Sequence, residues 1–228
     1  MPIIVYKMDV SPPARTVLIT AEILGLDIET REVNLRAKQQ FTPEYLEKNP
    51  THSVPLIEDG NFVLSDSHAI AIYLISKYGA EKEATLYPSD LEIRANIHQK
   101  LFFDASILFP SLRGLVGDVL NNGAISLDED KIAKVEEAYG FLEKYLERST
   151  FVAGENITIA DIACVTTVST NAVLVPLDNK YPKIQAWMEV LSAEEWYQKI
   201  NQPGVTDFGL AFASLGNERS VLSKSLRT

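Results

Sequence analysis

The amino-acid sequence predicts a mixed α/β unit followed by an all-helical unit. Strand-like and helix-like patterns alternate up to residue 80. From residue 90 onward the strand patterns largely stop and helical spacing continues. Residues 81–89 are charged, contain Pro88 and lack periodicity, as linkers do. We therefore divide the chain into an N-terminal unit (1–80), a linker (81–89) and a C-terminal helical unit (90–228).

The composition excludes several classes of protein. The net charge of −10 argues against a nucleic-acid-binding surface, and no apolar run is long enough to span a membrane. Cys164 is the only cysteine, so an internal disulfide is impossible and a reducing, cytoplasmic location is expected. The three histidines lie at spacings that match no metal motif. We expect no metal, no nucleic acid and no membrane.

The N-terminal unit begins with a strand, a helix and a second strand. Residues 3–6 form a β-branched run, and residues 28–35 alternate as strands do. Residues 14–24 have helical spacing, and Pro12 and Pro13 precede them, where a missing N–H costs nothing. A short helix from residue 42 then ends before the Asn-Pro pair at 49–50.

Residues 49–70 carry a turn and a helix start. Asp59-Gly60-Asn61 predicts a tight turn between two short strands. Ser65-Asp66-Ser67 then reads as an N-cap cluster for a helix at 67–78. A helix start presents unpaired N–H groups and partial positive charge. An anionic small molecule bound here is therefore our first functional hypothesis.

The C-terminal unit contains several helices. Helical spacing runs from 91 to 120, and Pro110 predicts a kink or break within it. An amphipathic helix is expected at 128–147 and another at 181–191. The pattern after Gly204 is ambiguous.

Thr158 and Asp161 have the spacing of a capping box. The helix that they begin is almost entirely apolar to residue 172, so it should be the buried centre of this unit. We interpret both residues as folding residues. Cys164, on the same helix, is expected to be an inert core thiol.

Four separated motifs resemble those of cytosolic glutathione S-transferases, in the insect delta/epsilon group and closer to epsilon. They are VSPPAR at 10–15, NPTHSVP at 49–55, LSDSHAI at 64–70 and FVAGENITIAD at 151–161. The resemblance extends to about residue 215. It implies a thioredoxin-like N-terminal domain (βαβαββα), a helical-bundle C-terminal domain and a homodimer.

The resemblance implies that Ser11 is the catalytic residue and that glutathione is the co-substrate. Glutathione's thiol is mostly protonated at neutral pH, whereas the thiolate is the nucleophile. A serine hydroxyl at a helix start stabilises the anion through a charge-assisted hydrogen bond and the helix dipole. Two alternatives remain: Ser11 as a simple N-cap, and Tyr6 as a rival activator.

The resemblance also implies a set of glutathione contacts. Val54, held by a cis bond to Pro55, would pair with the cysteinyl part through its backbone. Asp66 and Ser67 would bind the γ-glutamyl end, and His52 would bind the glycine end. Each has a plainer reading: a cap for Asp66 and Ser67, a trans proline for Pro55, and a surface histidine for His52. The full predicted set is Gln40, His52, Ser53, Val54, Pro55, Asp66, Ser67 and His68.

Two members of that set have alternative roles. Many relatives have a histidine where this chain has Gln40, which can hydrogen-bond a carboxylate but brings no charge. His68 could be purely structural.

The family's acceptor pocket lies between the domains. Arg113 there could orient an anionic leaving group, bind glutathione or be an ordinary surface arginine. The resemblance places these residues in the pocket: Val10, Pro13, Phe103, Ile107, Phe109, Leu112, Arg113, Val116 and Phe208.

The implied activity is conjugation of the glutathione thiolate to apolar electrophiles, as in detoxification and insecticide metabolism. Dehydrochlorination and peroxide reduction are possible related activities. One alternative is a non-catalytic carrier of glutathione and apolar ligands, with the same fold. Another is an interaction module that has lost the ligand, which the intact motif residues argue against.

Overall fold

The computed structural model describes the backbone of residues 2–121 and 127–225, and the side chains of residues 2–117 and 127–214. A four-stranded sheet with three flanking helices comes first, and helices make up the rest of the described chain. Within those ranges no helix is both long and apolar enough to cross a bilayer.

The N-terminal elements confirm the predicted βαβαββα order. Strand β2 ends at Glu32, three residues earlier than predicted. Its extension fails because the chain turns at Asn34, whose side-chain oxygen accepts the Ala37 N–H at 3.0 Å. The elements are β1 (Ile3–Lys7), α1 (Pro12–Leu24), β2 (Ile28–Glu32), α2 (Pro43–Lys48), β3 (Leu56–Asp59), β4 (Phe62–Ser65) and α3 (Ser67–Tyr78).

The strand order in the sheet is β2-β1-β3-β4. Strands β1 and β2 are parallel, and β3 is antiparallel to both β1 and β4. Tyr6 lies opposite Leu56, and Leu56 lies opposite Ser65. The ends of β1 and β4 therefore meet the start of β3 at one edge of the sheet, and the segments that follow or precede them converge there.

The two faces of the sheet pack against different helices. Val5 and Ile57 are fully buried in a cluster that includes residues of α1 and α3. Tyr6 and Leu56 point to the opposite face, where Tyr45 of α2 covers them. This is the period-2 alternation expected of a strand.

The predicted long helix from 91 to 120 is broken in the structure. A π-helical turn at Asp104–Leu108 separates two α-helical pieces. Pro110 lies two residues after the end of this turn, and its missing N–H cannot bond to the Ser106 carbonyl one turn earlier. The break that Pro110 predicted is therefore present, and it begins six residues before the proline.

The remaining helices agree with the predicted pattern in most places. Helix α4 lies within residues 81–89, which were expected to be an irregular linker, and the domain boundaries stay a prediction. Residues 204–225 of the ambiguous tail are helical. The helices are α4 (Glu83–Leu86), α5 (Leu91–Phe103), α6 (Phe109–Asn121), α7 (Glu129–Leu146), α8 (Ile159–Leu174), α9 (Pro182–Ser192) and α10 (Gln202–Ser225).

Helix α8 is the buried centre of the helical unit, and the predicted capping box is present at its start. The fully buried Asp161 carboxylate accepts hydrogen bonds from the Thr158 N–H (2.9 Å), the Val152 N–H (2.9 Å) and the Trp187 indole N–H (3.0 Å). Cys164 is also fully buried, and burial raises the pKa of its thiol well above its usual value. A protonated, inaccessible thiol is chemically inert, as expected.

Asp59 joins the β3–β4 hairpin to α3. One carboxylate oxygen accepts hydrogen bonds from the Tyr78 hydroxyl (2.6 Å), the Tyr73 hydroxyl (2.7 Å) and the Lys77 ammonium (2.7 Å). Burial alone would raise the pKa of Asp59, but the bonds from Lys77, Tyr73 and Tyr78 outweigh it and lower the pKa to about 2. The ionised carboxylate therefore stabilises the folded state.

We expect Asp59→Asn to destabilise the protein at neutral pH by about 1–2 kcal/mol. The pKa of Asp59 is lower folded than unfolded, so its stabilisation is present above about pH 4 and is lost as the pH falls toward 2. The difference in the free energy of unfolding between wild type and variant, measured by urea unfolding, should narrow over that range. The exposed Asp27 is the control, because its carboxylate has no hydrogen bond or ion pair among the described residues and Asp27→Asn should change little. A difference in free energy that is the same at pH 7 and pH 2.5 would contradict the lowered pKa of Asp59.

Candidate active site

Ser11 begins α1 but does not cap it with its side chain. It is half-buried at the N-cap position, and its hydroxyl makes no capping hydrogen bond. Pro12 and Pro13 carry no N–H, so one of the backbone N–H groups that an N-cap side chain usually accepts is missing. The Ser11 carbonyl instead accepts the Arg15 N–H at 3.1 Å. The plain reading of Ser11 as a side-chain cap therefore fails, and its hydroxyl is available for another partner.

The Tyr6 hydroxyl is fully engaged elsewhere. It donates to Glu58 Oε1 at 3.0 Å and accepts from Arg31 Nη1 at 2.9 Å and Lys48 Nζ at 2.8 Å. One donor and two acceptor positions are all that a phenol offers. The register turns Tyr6 toward α2, so it is a poor candidate for activating a ligand at the edge where Ser11 lies.

The Val54–Pro55 peptide bond is cis, as the resemblance implied. Within the described residues, the structure gives no protein hydrogen bond to the Val54 N–H or C=O. The preceding loop is held by Asn49, whose amide donates to the Ser53 carbonyl at 2.8 Å, and by the Tyr45 hydroxyl, which donates to the same oxygen at 2.6 Å. These hydrogen bonds fix the loop that carries the unpaired Val54 backbone groups, and Val54 itself is buried.

Asp66 and Ser67 lie where β4 passes into α3. Asp66 has φ of 77°, and its carboxylate accepts the N–H groups of His68 and Ala69, both at 3.0 Å. The predicted cap is therefore real. Its side chain is still 63% exposed, which leaves the other oxygen open to a ligand. Ser67 is buried, and its hydroxyl has no hydrogen-bond partner among the described residues.

His68 connects α3 to the helical unit. Its Nε2 lies 2.9 Å from Oδ2 of Asp104, in the π-helical turn, and its Nδ1 lies 3.7 Å from Asp66. Burial alone would lower the pKa of His68, but the hydrogen bond to Asp104 and the charge of Asp66 raise it. The interdomain contact favours the structural reading of His68 over direct ligand contact.

The residues predicted for the glycine end lie in the segments on either side of α2. His52 is exposed, has φ of 46° and stacks against Phe41 with ring centroids 4.7 Å apart. The Gln40 amide donates to the Leu35 carbonyl at 3.3 Å, and its own oxygen is buried without a protein partner among the described residues. Ser53 is exposed. His52 and Ser53 are accessible, whereas Gln40 is turned inward.

Most members of the predicted acceptor pocket are accessible to some degree. Ile107 and Arg113 are exposed, and Leu112 is buried. Phe208 of α10 stacks with Phe212, with ring centroids 6.1 Å apart. The partly exposed members are Val10, Pro13, Phe109, Val116 and Phe208.

Phe103 belongs to the helical core. Its side chain is 4% exposed and packs edge-to-face on Tyr145, with ring centroids 5.3 Å apart. It lies in the same cluster as residues of α7 and α8. We therefore leave Phe103 out of the pocket that we propose below.

Three positioning residues lie next to the site and carried little sequence signal. Arg15 is fully buried one turn after Ser11, Asp104 contacts His68, and Gly204 packs against both Arg15 and Asp9. Arg15 ends the VSPPAR motif at 10–15, but the motif does not indicate that the side chain is buried. Among the described residues, no three His, Cys, Asp or Glu side chains cluster as metal ligands would.

The site therefore combines hydroxyls, an unpaired backbone amide and a capped carboxylate at one edge of the sheet. A thioredoxin-like unit followed by a helical unit, with such an edge between them, defines a class of two-domain proteins. Residues 5–82 match the family described as "Glutathione S-transferase, N-terminal domain", and residues 98–195 match "Glutathione S-transferase, C-terminal domain".

The chain belongs to the glutathione S-transferase family. It is 46% identical over 202 residues to "Glutathione S-transferase 1" of Manduca sexta, covering 87% of this chain and 92% of that protein. Both the family and the fold predicted from the sequence are thereby confirmed.

Solved structures of insect proteins support the same family assignment. An epsilon-class glutathione S-transferase from the housefly, Musca domestica, superimposes with a TM-score of 0.89 at 37% identity, covering 93% of this chain and 98% of that chain. A glutathione transferase homolog from Drosophila mojavensis with bound glutathione gives a TM-score of 0.89 at 40% identity, covering 93% and 97%.

We expect Gly204→Ala to destabilise the protein by about 1–3 kcal/mol, because overpacking forces a shift of backbone. A Cβ at this position would lie 2.6 Å from the Asp9 carbonyl oxygen and would also overlap Arg15 Cδ. Both groups adjoin Ser11, so glutathione affinity should fall as well. Urea unfolding and calorimetry measure the two effects.

Gly209→Ala, in the same helix, is the matched control. Its Cβ would meet only the Val173 side chain at 3.5 Å, an ordinary contact. The change should be neutral or stabilise by up to about 1 kcal/mol, since alanine favours helix. Equal effects at the two glycines would contradict the packing assigned to Gly204.

Proposed function

We propose that this protein is a glutathione transferase that binds glutathione at the sheet edge and stabilises its thiolate with Ser11. The observation that carries the proposal is the half-buried Ser11 hydroxyl, which begins α1 without capping it. A hydroxyl donor at a helix start lowers the free energy of an adjacent anion. The engaged Tyr6 hydroxyl supports Ser11 over its rival.

The proposed binding mode uses the groups that the protein leaves unpaired. The Val54 backbone pairs with the cysteinyl part of glutathione, as in strand addition. Asp66 holds the α-ammonium group, and Ser67 with the α3 N–H groups holds the α-carboxylate. His52 contacts the glycine carboxylate, with Ser53 and Gln40 nearby. Pro55 and His68 position this set.

In the proposed reaction, the thiolate attacks an electrophilic carbon, a C–S bond forms and the leaving group departs with the displaced electron pair. The acceptor is an apolar electrophile that lies against Val10, Pro13, Phe109 and Phe208. Arg113, which is exposed, either orients an anionic leaving group or contacts only solvent. The remaining pocket residues are Ile107, Leu112 and Val116.

The physiological role that we propose is detoxification of apolar xenobiotics, insecticides included, in the cytoplasm. Similarity to epsilon-class proteins supports the class assignment. Dehydrochlorination and peroxide reduction would use the same thiolate, and we propose them as side activities. The alternative is a carrier, in which glutathione and apolar ligands bind without turnover.

We also propose a homodimer that uses the exposed face of α5. Leu91 and Phe102 are 82% and 70% exposed and lie three helical turns apart on one face. Phe62 of β4 is also exposed, and its ring lies against that of Tyr73 of α3, with centroids 4.9 Å apart. Apolar side chains this exposed are typical of a surface covered by a partner.

Ser11→Ala should lower turnover of 1-chloro-2,4-dinitrobenzene with glutathione by roughly 10²-fold, the usual loss when one charge-stabilising donor is removed. The expected readout is absorbance of the conjugate at pH 6.5. Tyr6→Phe is the matched control and should retain activity within about threefold.

Two outcomes would contradict this account. A larger loss in Tyr6→Phe than in Ser11→Ala would make Tyr6 the activator. Wild-type binding of glutathione without turnover of any electrophile tested would favour the carrier.

Phe102→Glu should shift the protein from twice the mass of one chain toward a single chain in sedimentation velocity, because a buried unpaired charge opposes association. Leu210→Glu is the control, since Leu210 is 66% exposed on α10, away from the proposed interface. Monomeric wild type would contradict the dimer, and a Phe102→Glu dimer would place the interface elsewhere.

A further inference from the structure

We infer that a cleft at the opposite end of α1 from Ser11 is a second small-molecule site, which binds an organic cation with an apolar body. The cleft has a volume of about 370 Å³. It is lined by the end of α1, by α4, by the residue before the Thr158 cap and by residues 194–196 after α9. The site is independent of the proposed function, because none of its lining residues belongs to the predicted glutathione contacts or acceptor pocket.

The cleft lies where the N-terminal unit meets the helical unit. Ile23 lines it at the end of the 13-residue helix α1, so roughly 15–20 Å along the helix axis separates it from Ser11. Small-molecule sites occur preferentially at such interfaces between domains, in cavities of about 300–1,000 Å³. A ligand in the cleft would therefore contact both units without reaching the start of α1.

Part of the lining is apolar and held in place by the core. Leu86 of α4 and Trp196 are buried members of the main helical core cluster. Ile23 and Ile157 are half-buried and pack against the same cluster. These side chains give the cleft an apolar wall that is already formed before any ligand binds.

The lysines at the cleft already have partners. Lys82 is the only cation among the lining residues, and its ammonium donates a hydrogen bond to the Ile23 carbonyl. Lys199, which does not line the cleft, pairs with Glu22 Oε1 at 2.6 Å. Neither ammonium is therefore available as the partner of an anionic ligand.

Two carboxylates at the cleft have no partner. Glu194 is half-buried and Glu195 is exposed, and neither carboxylate makes a hydrogen bond or an ion pair within the part of the chain that the structure describes. Helix α1 ends at Leu24 and α9 ends at Ser192, so the C-terminal ends of both helices add partial negative charge beside them. The potential in the cleft therefore favours a cation and opposes an anion.

The wall and the charges together define the ligand as a protonated amine on an aryl or alkyl body. Its ammonium would donate hydrogen bonds to Glu194 and Glu195, and its body would lie against Ile23 and Ile157. A primary amine of this kind is charged at neutral pH, because its pKa is near that of a lysine side chain.

The test is calorimetric titration of the full chain with three probes that share one body. They are 4-phenylbutylamine, the neutral 4-phenyl-1-butanol and the anion 4-phenylbutyrate. The amine should bind about tenfold more tightly than the alcohol at low salt, since each solvent-exposed ion pair contributes a few-fold in affinity. Added salt should reduce that preference, and the butyrate should bind most weakly.

Variants of the lining locate the site. The double variant Glu194→Gln with Glu195→Gln should weaken amine binding about tenfold and change alcohol binding by less than about twofold. Glu189→Gln is the matched control, because Glu189 is exposed on α9 and does not line the cleft. Thr85, exposed on α4, lines the cleft, so Thr85→Trp should occupy the space and weaken both probes at least fivefold.

Each contrary result overturns the site or its chemistry. Equal affinity for amine and alcohol, or tighter binding of the butyrate, would overturn the preference for a cation. Amine affinity that is unchanged in the double variant and in Thr85→Trp would place the amine elsewhere, and no saturable binding of the amine would remove the site. Turnover of 1-chloro-2,4-dinitrobenzene tests the proposed function separately, so either proposal can fail without the other.

Discussion

The pairing register of β1, β3 and β4 is the constraint on which the rest of the site depends. With Tyr6 opposite Leu56 and Leu56 opposite Ser65, the segments carrying Ser11 and Val54 meet at one edge of the sheet. A slip of one residue would exchange the two faces of the sheet and expose its core. The same register commits Tyr6 to the opposite face and leaves Ser11 and Ser67 as the unpartnered hydroxyls near the edge.

The helical unit packs against the elements that form that edge. Arg15 reaches from α1 to α8, Gly204 allows α10 to pack against the loop before α1, and His68 meets Asp104 in the π-helical turn. These contacts cross between the two units at the point where the unpaired groups converge. The position of Ser11 therefore depends on interdomain packing as well as on the sheet.

Much of this architecture was predictable because its signals are local. The capping box at Thr158, the turn at Gly60 and the break near Pro110 are each set by a few neighbouring residues. The end of β2 and the helix after Gly204 were not, since side-chain turns and tertiary packing decide them. Within the site, Ser11 followed from motif order, but the burial of Arg15 depends on residues more than 150 positions away, which no local pattern encodes.

The most direct test of the central claim is a crystal structure of this protein with glutathione bound. Our account predicts the glutathione sulfur within about 3.5 Å of the Ser11 hydroxyl oxygen, and the cysteinyl backbone paired with Val54. A sulfur placed beside the Tyr6 hydroxyl, or a tripeptide bound away from the shared end of β1, β3 and β4, would contradict it.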